Sequence, residues 1–286
     1  MDQINETTYG LLAKADVTDR IEVEVGDATV RDVFHPQVKV KRWDNEVNLS
    51  VRHLDTTPEI PATVRFDRGV QDRIVWAKPD LEVHQYEDPD AGEDGGFEFE
   101  WVLLSRPSKN VLTATIQTKG LVFDHQPPLT LAEIDEGCIQ PEHIVGSYAV
   151  SHATNGGLNL AGGPDYKTGK FCQIHRPKAT DARGATTWGD LHIDTVTGLL
   201  TVTLSWAWLV NAAYPVRVDP TFGFTSIGGT AATAFNQAAY ANFFALAEAG
   251  DVSKLTTYRL NAGADDTTKG MIWANGSSYP TTLLGT

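Results

Sequence analysis

The chain has 286 residues, 41% of them hydrophobic and 21% charged, an ordinary globular composition that argues against a disordered or membrane-embedded chain. Its 37 acidic residues outnumber 23 basic ones, and the formal net charge of −14 repels phosphate backbones, which argues against nucleic acid as a partner. The length suits about two domains.

Cys138 and Cys172 fit no metal-ligand spacing and are too few for a disulfide framework, so both are expected as buried free thiols. The start at Met1–Glu6 is acidic where a signal peptide is basic, and no run approaches the ~18 apolar residues of a membrane span. Synthesis and folding in the cytoplasm, without a membrane partner, are the expectation.

From Ile21 the pattern is that of half-buried strands. Ile21, Val23 and Val25 alternate with Glu22 and Glu24, and the same alternation runs through Val38 and Val40 and through Val47, Leu49 and Val51. Val64 and Phe66, Ile74 to Trp76, and Leu81 and Val83 make a second group. The Gly- and Asp-rich segment from Glu87 to Gly96 has no apolar anchor and reads as a surface loop whose spacing does not match a calcium loop. Phe97, Phe99 and Trp101 alternate with Glu98 and Glu100, Leu112, Ala114 and Ile116 follow, and the turn residues at 106–110 suggest that the two runs pair as a long hairpin.

Between Leu129 and Glu136 there is room for one helical turn at most, closed by Gly137 and Pro141. Tyr148 and Val150 open another strand, the glycine-rich stretch 155–164 is an insertion, and Phe171 to Ile174 resume the sheet. Leu191 and Ile193 then face Leu200, Val202 and Leu204 across Thr197-Gly198 in the clearest hairpin of the chain. A corner holding Trp206 and Trp208 is expected to plug the core, and a last strand ends at Asp219-Pro220. Beyond it the chain is rich in Gly, Ala and Thr; in Phe235 to Ala249 the alanines favour helix while Asn242-Phe243-Phe244 and the Gly250-Asp251 turn favour strand, the preferred reading, and Leu255 to Leu260 and Met271 to Trp273 read as further strands. The fold class is therefore all-β: antiparallel β-sandwich structure over residues 1–221, with a subdomain boundary near 125–145 as an alternative, then an incomplete jelly-roll-like unit over 222–286.

Chemistry has few footholds. A strand places Asp190, His192 and Asp194 on one face, where a metal or acid–base pair is conceivable, but any wet strand face opposite Leu191 and Ile193 looks the same. His175 with Asp181, and Ser147 with His152, fit no nucleophile-elbow pattern. Phosphate-loop, dinucleotide and zinc-protease motifs are missing. No catalytic, cofactor or metal residue is assigned. Trp188, Trp206 and Trp208 are expected in the core, whereas Trp273 and Tyr279 flank turns and are the candidate glycan-stacking residues.

Five segments carry a resemblance: Gly146–Val150, Tyr166–Lys170, Ile174–Pro177, Trp188–Leu191 and Ala213–Thr221. Taken in order they resemble a β domain of bacteriophage virion proteins. A second set, Ala249–Thr256, Ile272–Pro280 and Leu283–Thr286, resembles the opening half of a lectin-like jelly-roll sandwich of surface and phage proteins. The resemblance implies a non-enzymatic structural role at the virion surface, as a capsid decoration or fibre-type protein. It also implies homo-oligomers and contacts with other capsid or tail proteins. A glycan-binding adhesin module that meets a host surface glycan is the alternative, and a glycan-active enzyme built on Asp190, His192 and Asp194 a more distant one.

Overall fold

The structure is a computed structural model that describes residues 2–14, 21–30, 32–68, 72–88, 96–135, 140–155, 166, 169–223, 272–274 and 282–285. Strands β1 (Asp2–Asn5), β2 (Thr8–Lys14), β3 (Ile21–Val25), β4 (Gln37–Arg42) and β5 (Val47–His53) pair in sequence, each antiparallel to the next. Strands β6 (Thr63–Asp67), β7 (Arg73–Ala77), β8 (Leu81–Asp88) and β9 (Gly96–Leu103) form a second meander. Then come β10 (Val111–Lys119), β11 (Leu121–Gln126), the short helix α1 (Leu131–Asp135), β12 (Ser147–His152), β13 (Lys170–Ile174), β14 (Lys178–Thr180) and β15 (Thr186–Trp188). The sandwich is completed by β16 (Asp190–Asp194), β17 (Leu199–Thr203), helix α2 (Trp206–Asn211), β18 (Val216–Asp219) and β19 (Thr221–Gly223). A separate pair, β20 (Ile272–Ala274) and β21 (Thr282–Gly285), lies further along the chain.

The first sheet has the order β1-β2-β3-β4-β5-β10-β17-β16. The second is organised around β9, which pairs with β8 along one edge and with both β18 and β19 along the other. Beyond that second edge the sheet divides, β18 leading to β14 and β15, and β19 to β13, β12 and β11. Pro220, which has no N–H to give a ladder, separates β18 from β19. The chain nevertheless stays in the sheet, and Phe222 is buried in the core. Both sheets draw strands from either side of residues 125–145, and one apolar cluster runs from Ile21 to Phe222.

The alternation read from the sequence is the reason these segments are strands: a period of two puts Ile21, Val23 and Val25 on the core side of β3 and leaves Glu22 and Glu24 half-buried. The expected pairing of Phe97–Trp101 with Leu112–Ile116 is corrected, because β9 and β10 belong to different sheets. Two consecutive strands with apolar rows can lie side by side or face each other across a core, and the segment 104–110 takes the second course. The corner is corrected as well. Ser205 caps α2 by accepting from the Trp208 N–H, and the side chain driven into the core is Leu209, with Trp206 45% exposed and Trp208 half-buried.

Gly189 joins β15 in one sheet to β16 in the other. A Cβ there would stand 3.0 Å from Val202 Cγ1 and 3.1 Å from Leu204 Cδ2, inside the packed edge of the core. Gly189→Ala is expected to lower unfolding free energy by about 1–3 kcal/mol in urea titrations, the usual cost of overpacking.

Candidate functional site

The residues that attracted attention in the sequence do not converge. Asp190 and His192 are exposed on β16, opposite Thr203 and Thr201, and Asp190 reaches only Arg176 at 3.5 Å. Asp194 builds the following turn by accepting from the N–H groups of Val196 and Thr197 and from the Thr197 hydroxyl. Ser147 is buried and accepts from Gln173 Nε2 at 2.7 Å, away from any histidine partner. His175 stacks edge-on against His143, and burial, with His143 beside it, holds its pKa down at about 4. Asp181 accepts the backbone N–H groups of Ala213, Ala185 and Arg183, which pull its pKa down to about 2 and tie the 181–185 turn to the segment after α2. Trp273 lies on β20 opposite Leu283, while Tyr279, Cys138, the 235–249 and 255–260 strands and residues 89–95 of the acidic loop are outside the described residues.

A tighter cluster binds the β4–β5 turn to the second sheet. Trp43, Asp44 and Asn45 all adopt positive φ, at 51°, 53° and 63°, and Trp43 is buried against His152 and Tyr166. His152 Nδ1 accepts the N–H groups of Thr154 and Asn155, so its proton sits on Nε2 and is donated to Glu46 at 3.2 Å. Tyr166 at 2.6 Å and Asn155 at 2.8 Å also donate to Glu46, and the Tyr166 hydroxyl first, then burial and His152, set its carboxyl, with the net effect of holding it low. Every group is satisfied, which marks a latch. Glu46→Ala leaves the enclosed His152 N–H without its acceptor and is expected to cost about 1–2 kcal/mol in thermal or urea unfolding.

The most unusual chemistry lies on β9. Phe97, Phe99 and Trp101 face the core, and the alternate residues Glu98 and Glu100, which have the look of a wet face in sequence, are each only 2% exposed. Their cross-strand neighbours explain the arrangement: Tyr86 and His84 on β8, Thr221 on β19, and Arg217 and Asp219 on β18. Arg217 donates to Glu100, yet burial still pushes the Glu100 carboxyl up to about 7. Burial lowers the pKa of His84, which contacts Glu82 at 2.7 Å. Burial also opposes ionisation of Glu82, but His84 and Arg65 outweigh it and hold that carboxyl low.

Neither Oε2 of Glu98 nor Oδ1 of Asp219 receives a hydrogen bond from an N–H or hydroxyl donor. Thr221 also bonds to the Glu98 carboxyl, and the contact of Glu98 with Asp219 couples the titration of the two groups. Burial raises the pKa of both, and Asp219 raises that of Glu98 further. The arrangement puts a buried carboxyl pair at the seam where the central strand meets the broken strand β18–β19. Nothing in the sequence marked it, since Arg217 and Asp219 are far from Glu98 along the chain and an alternating Phe-Glu-Phe-Glu-Trp run reads as half-exposed.

Among the described residues no three His, Cys, Asp or Glu side chains gather as a metal ion would need, and no helix is long and apolar enough to cross a membrane. No protein-family model matches the chain, and neither a curated protein nor a solved structure similar to it was found. The class the fold defines is a two-sheet antiparallel β-sandwich with a buried carboxyl pair at the seam of the second sheet.

Proposed function

We propose that the protein is a structural, non-catalytic component of a bacteriophage particle, a surface-exposed capsid decoration or fibre-type protein that works as an oligomer among other virion proteins. One observation supports this reading: the segments that carry the resemblance occupy the joints of the sandwich. Tyr166 ties the β4–β5 turn through Glu46, and Trp188 donates to Glu142. Arg176 holds Gly189 O at 3.1 Å, Tyr214 donates to Leu209 O at 2.9 Å, and Asp219 is coupled to the buried Glu98. A signature made of joint residues specifies a rigid scaffold, which is what a decorating subunit contributes to a particle. The surplus of acidic residues keeps such subunits soluble before they assemble on complementary surfaces.

The test is location. Particles purified from the producing host and labelled with an antibody to the sandwich are expected to show label at regular positions on the head or tail. Abundant free chain alongside unlabelled particles overturns the proposal.

A further inference from the structure

Strand β11 is hydrogen-bonded along one edge only. Its register with β12 runs from Leu121↔His152 to Gln126↔Ser147, and among the described residues nothing is paired with its other edge. Gly120, at φ 67°, lets the chain leave the first sheet after Lys119 and enter the second at Leu121, and a Cβ there would stand 3.0 Å from Val47 Cγ1. The bond from Ala153 N to Gly120 O fixes the phase of the ladder. Val122, Asp124 and Gln126 therefore turn their backbone groups to β12, and Leu121, Phe123 and His125 turn theirs to the open edge.

A groove of about 580 Å³ runs beside that edge, lined by Ile116, Gln117 and Thr118 of β10, Leu121 to Phe123 of β11, and Thr195 from the β16–β17 turn. The β10–β17 ladder stops at Thr115↔Leu199, and the last bond on that side is from Ile116 N to Gly198 O. The β10 backbone beyond Ile116 is open toward the groove. Two unpaired backbone edges thus flank a partly apolar floor. Exposed edges are ordinarily blunted by lysine, proline, a bulge or a covering loop. The β11 sequence, Leu-Val-Phe-Asp-His-Gln, contains neither lysine nor proline, its register is unbroken, and Val122 is 42% exposed.

We propose that this slot receives an extended segment of another protein, added to β11 as a further antiparallel strand. The recognition chemistry follows from the pleat. Residues of the incoming strand opposite Leu121 and Phe123 share their face and must be apolar, and the residue opposite exposed Asp124 is best basic. That charge requirement, with the net charge of −14, favours a basic partner segment over a second copy of this acidic chain. The slot's chemistry is the same whatever assembly carries the protein.

The test uses the full chain and a fluorescein-labelled heptapeptide of alternating lysine and valine, followed by anisotropy. Binding is expected to weaken about tenfold or more for the alternating glutamate–valine peptide and for a lysine–valine peptide N-methylated at alternate backbone positions. His125→Pro removes an open-edge N–H while leaving the ladder to β12 intact, and is expected to weaken binding by a similar factor. Asp124→Lys, at an exposed position, reverses the preference between the two charged peptides. Absence of binding by any peptide, unchanged binding by the N-methylated peptide, or unchanged preference in Asp124→Lys overturns the proposal. So does concentration-dependent self-association in sedimentation that His125→Pro abolishes, because the occupant is then a second copy.

Discussion

A Glu98→Gln variant is expected to match the parent in stability near pH 4.5 and to exceed it by up to about 4 kcal/mol near pH 8. Glutamine keeps a donor toward Asp219 but has no proton to lose. In the parent, burial first and then Asp219 hold the Glu98 carboxyl far above its ordinary range. A carboxyl group raised in the folded state contributes stability that is complete below its unfolded pKa, and that stability is lost as pH climbs toward the folded value, at ~1.4 kcal/mol per unit. Glu100, held at about 7, adds a loss of the same sign that levels off above that pH.

The histidines run the other way. Burial holds His53 and His175 at about 4 and lowers His84 and His35 as well, so their contribution is present above about pH 6.5 and is lost as pH falls. The parent is therefore expected to be most stable at about pH 6. The difference between variant and parent isolates Glu98, because both proteins keep the histidines. Urea unfolding of the pair across this range gives the gap directly, and a gap that does not grow with pH would show that Glu98 holds no proton in the folded state.

Strand positions were legible in the sequence because a period of two survives burial on one side. The hairpin expected across Thr197-Gly198 forms, with Leu191 opposite Val202 and Ile193 opposite Leu200. Sheet membership was not legible. The apolar rows of β9 and β10 satisfy a hairpin and a face-to-face arrangement equally well, and only the partners of the other strands decide between them. The buried seam was hidden for a related reason: Glu98 and Glu100 lie opposite Tyr86 and His84 on β8, Glu98 opposite Thr221 on β19, and Glu100 takes Arg217 of β18, neighbours that meet only once β9 is central in its sheet. The latch at Glu46 was equally opaque, since His152 drew attention through Ser147, its near neighbour in sequence, and its actual partner lies across the sandwich.

The largest loss of stability is expected from Trp101→Ala, about 3–5 kcal/mol, as for other buried tryptophans truncated in a close-packed core. Trp101 is fully buried on β9, edge-on to Phe99 at 5.2 Å, and its indole N–H donates to His53 Nδ1 on β5 at 3.1 Å. The bond spans the core from one sheet to the other, and it requires His53 to be neutral with its proton on Nε2. Burial, opposed by Asp55 and reinforced by Lys78, accounts for the low pKa of that imidazole. Truncation opens the cavity and frees Nδ1 to take a proton, so the His53 pKa is expected to rise along with the loss of stability. Trp101→Phe separates the two effects: most of the packing remains, the unfolding free energy falls by only about 1–2 kcal/mol, and the His53 titration seen by NMR still moves upward. An unchanged His53 pKa in the phenylalanine variant would show that the indole N–H does not govern the imidazole, leaving Trp101 as packing alone.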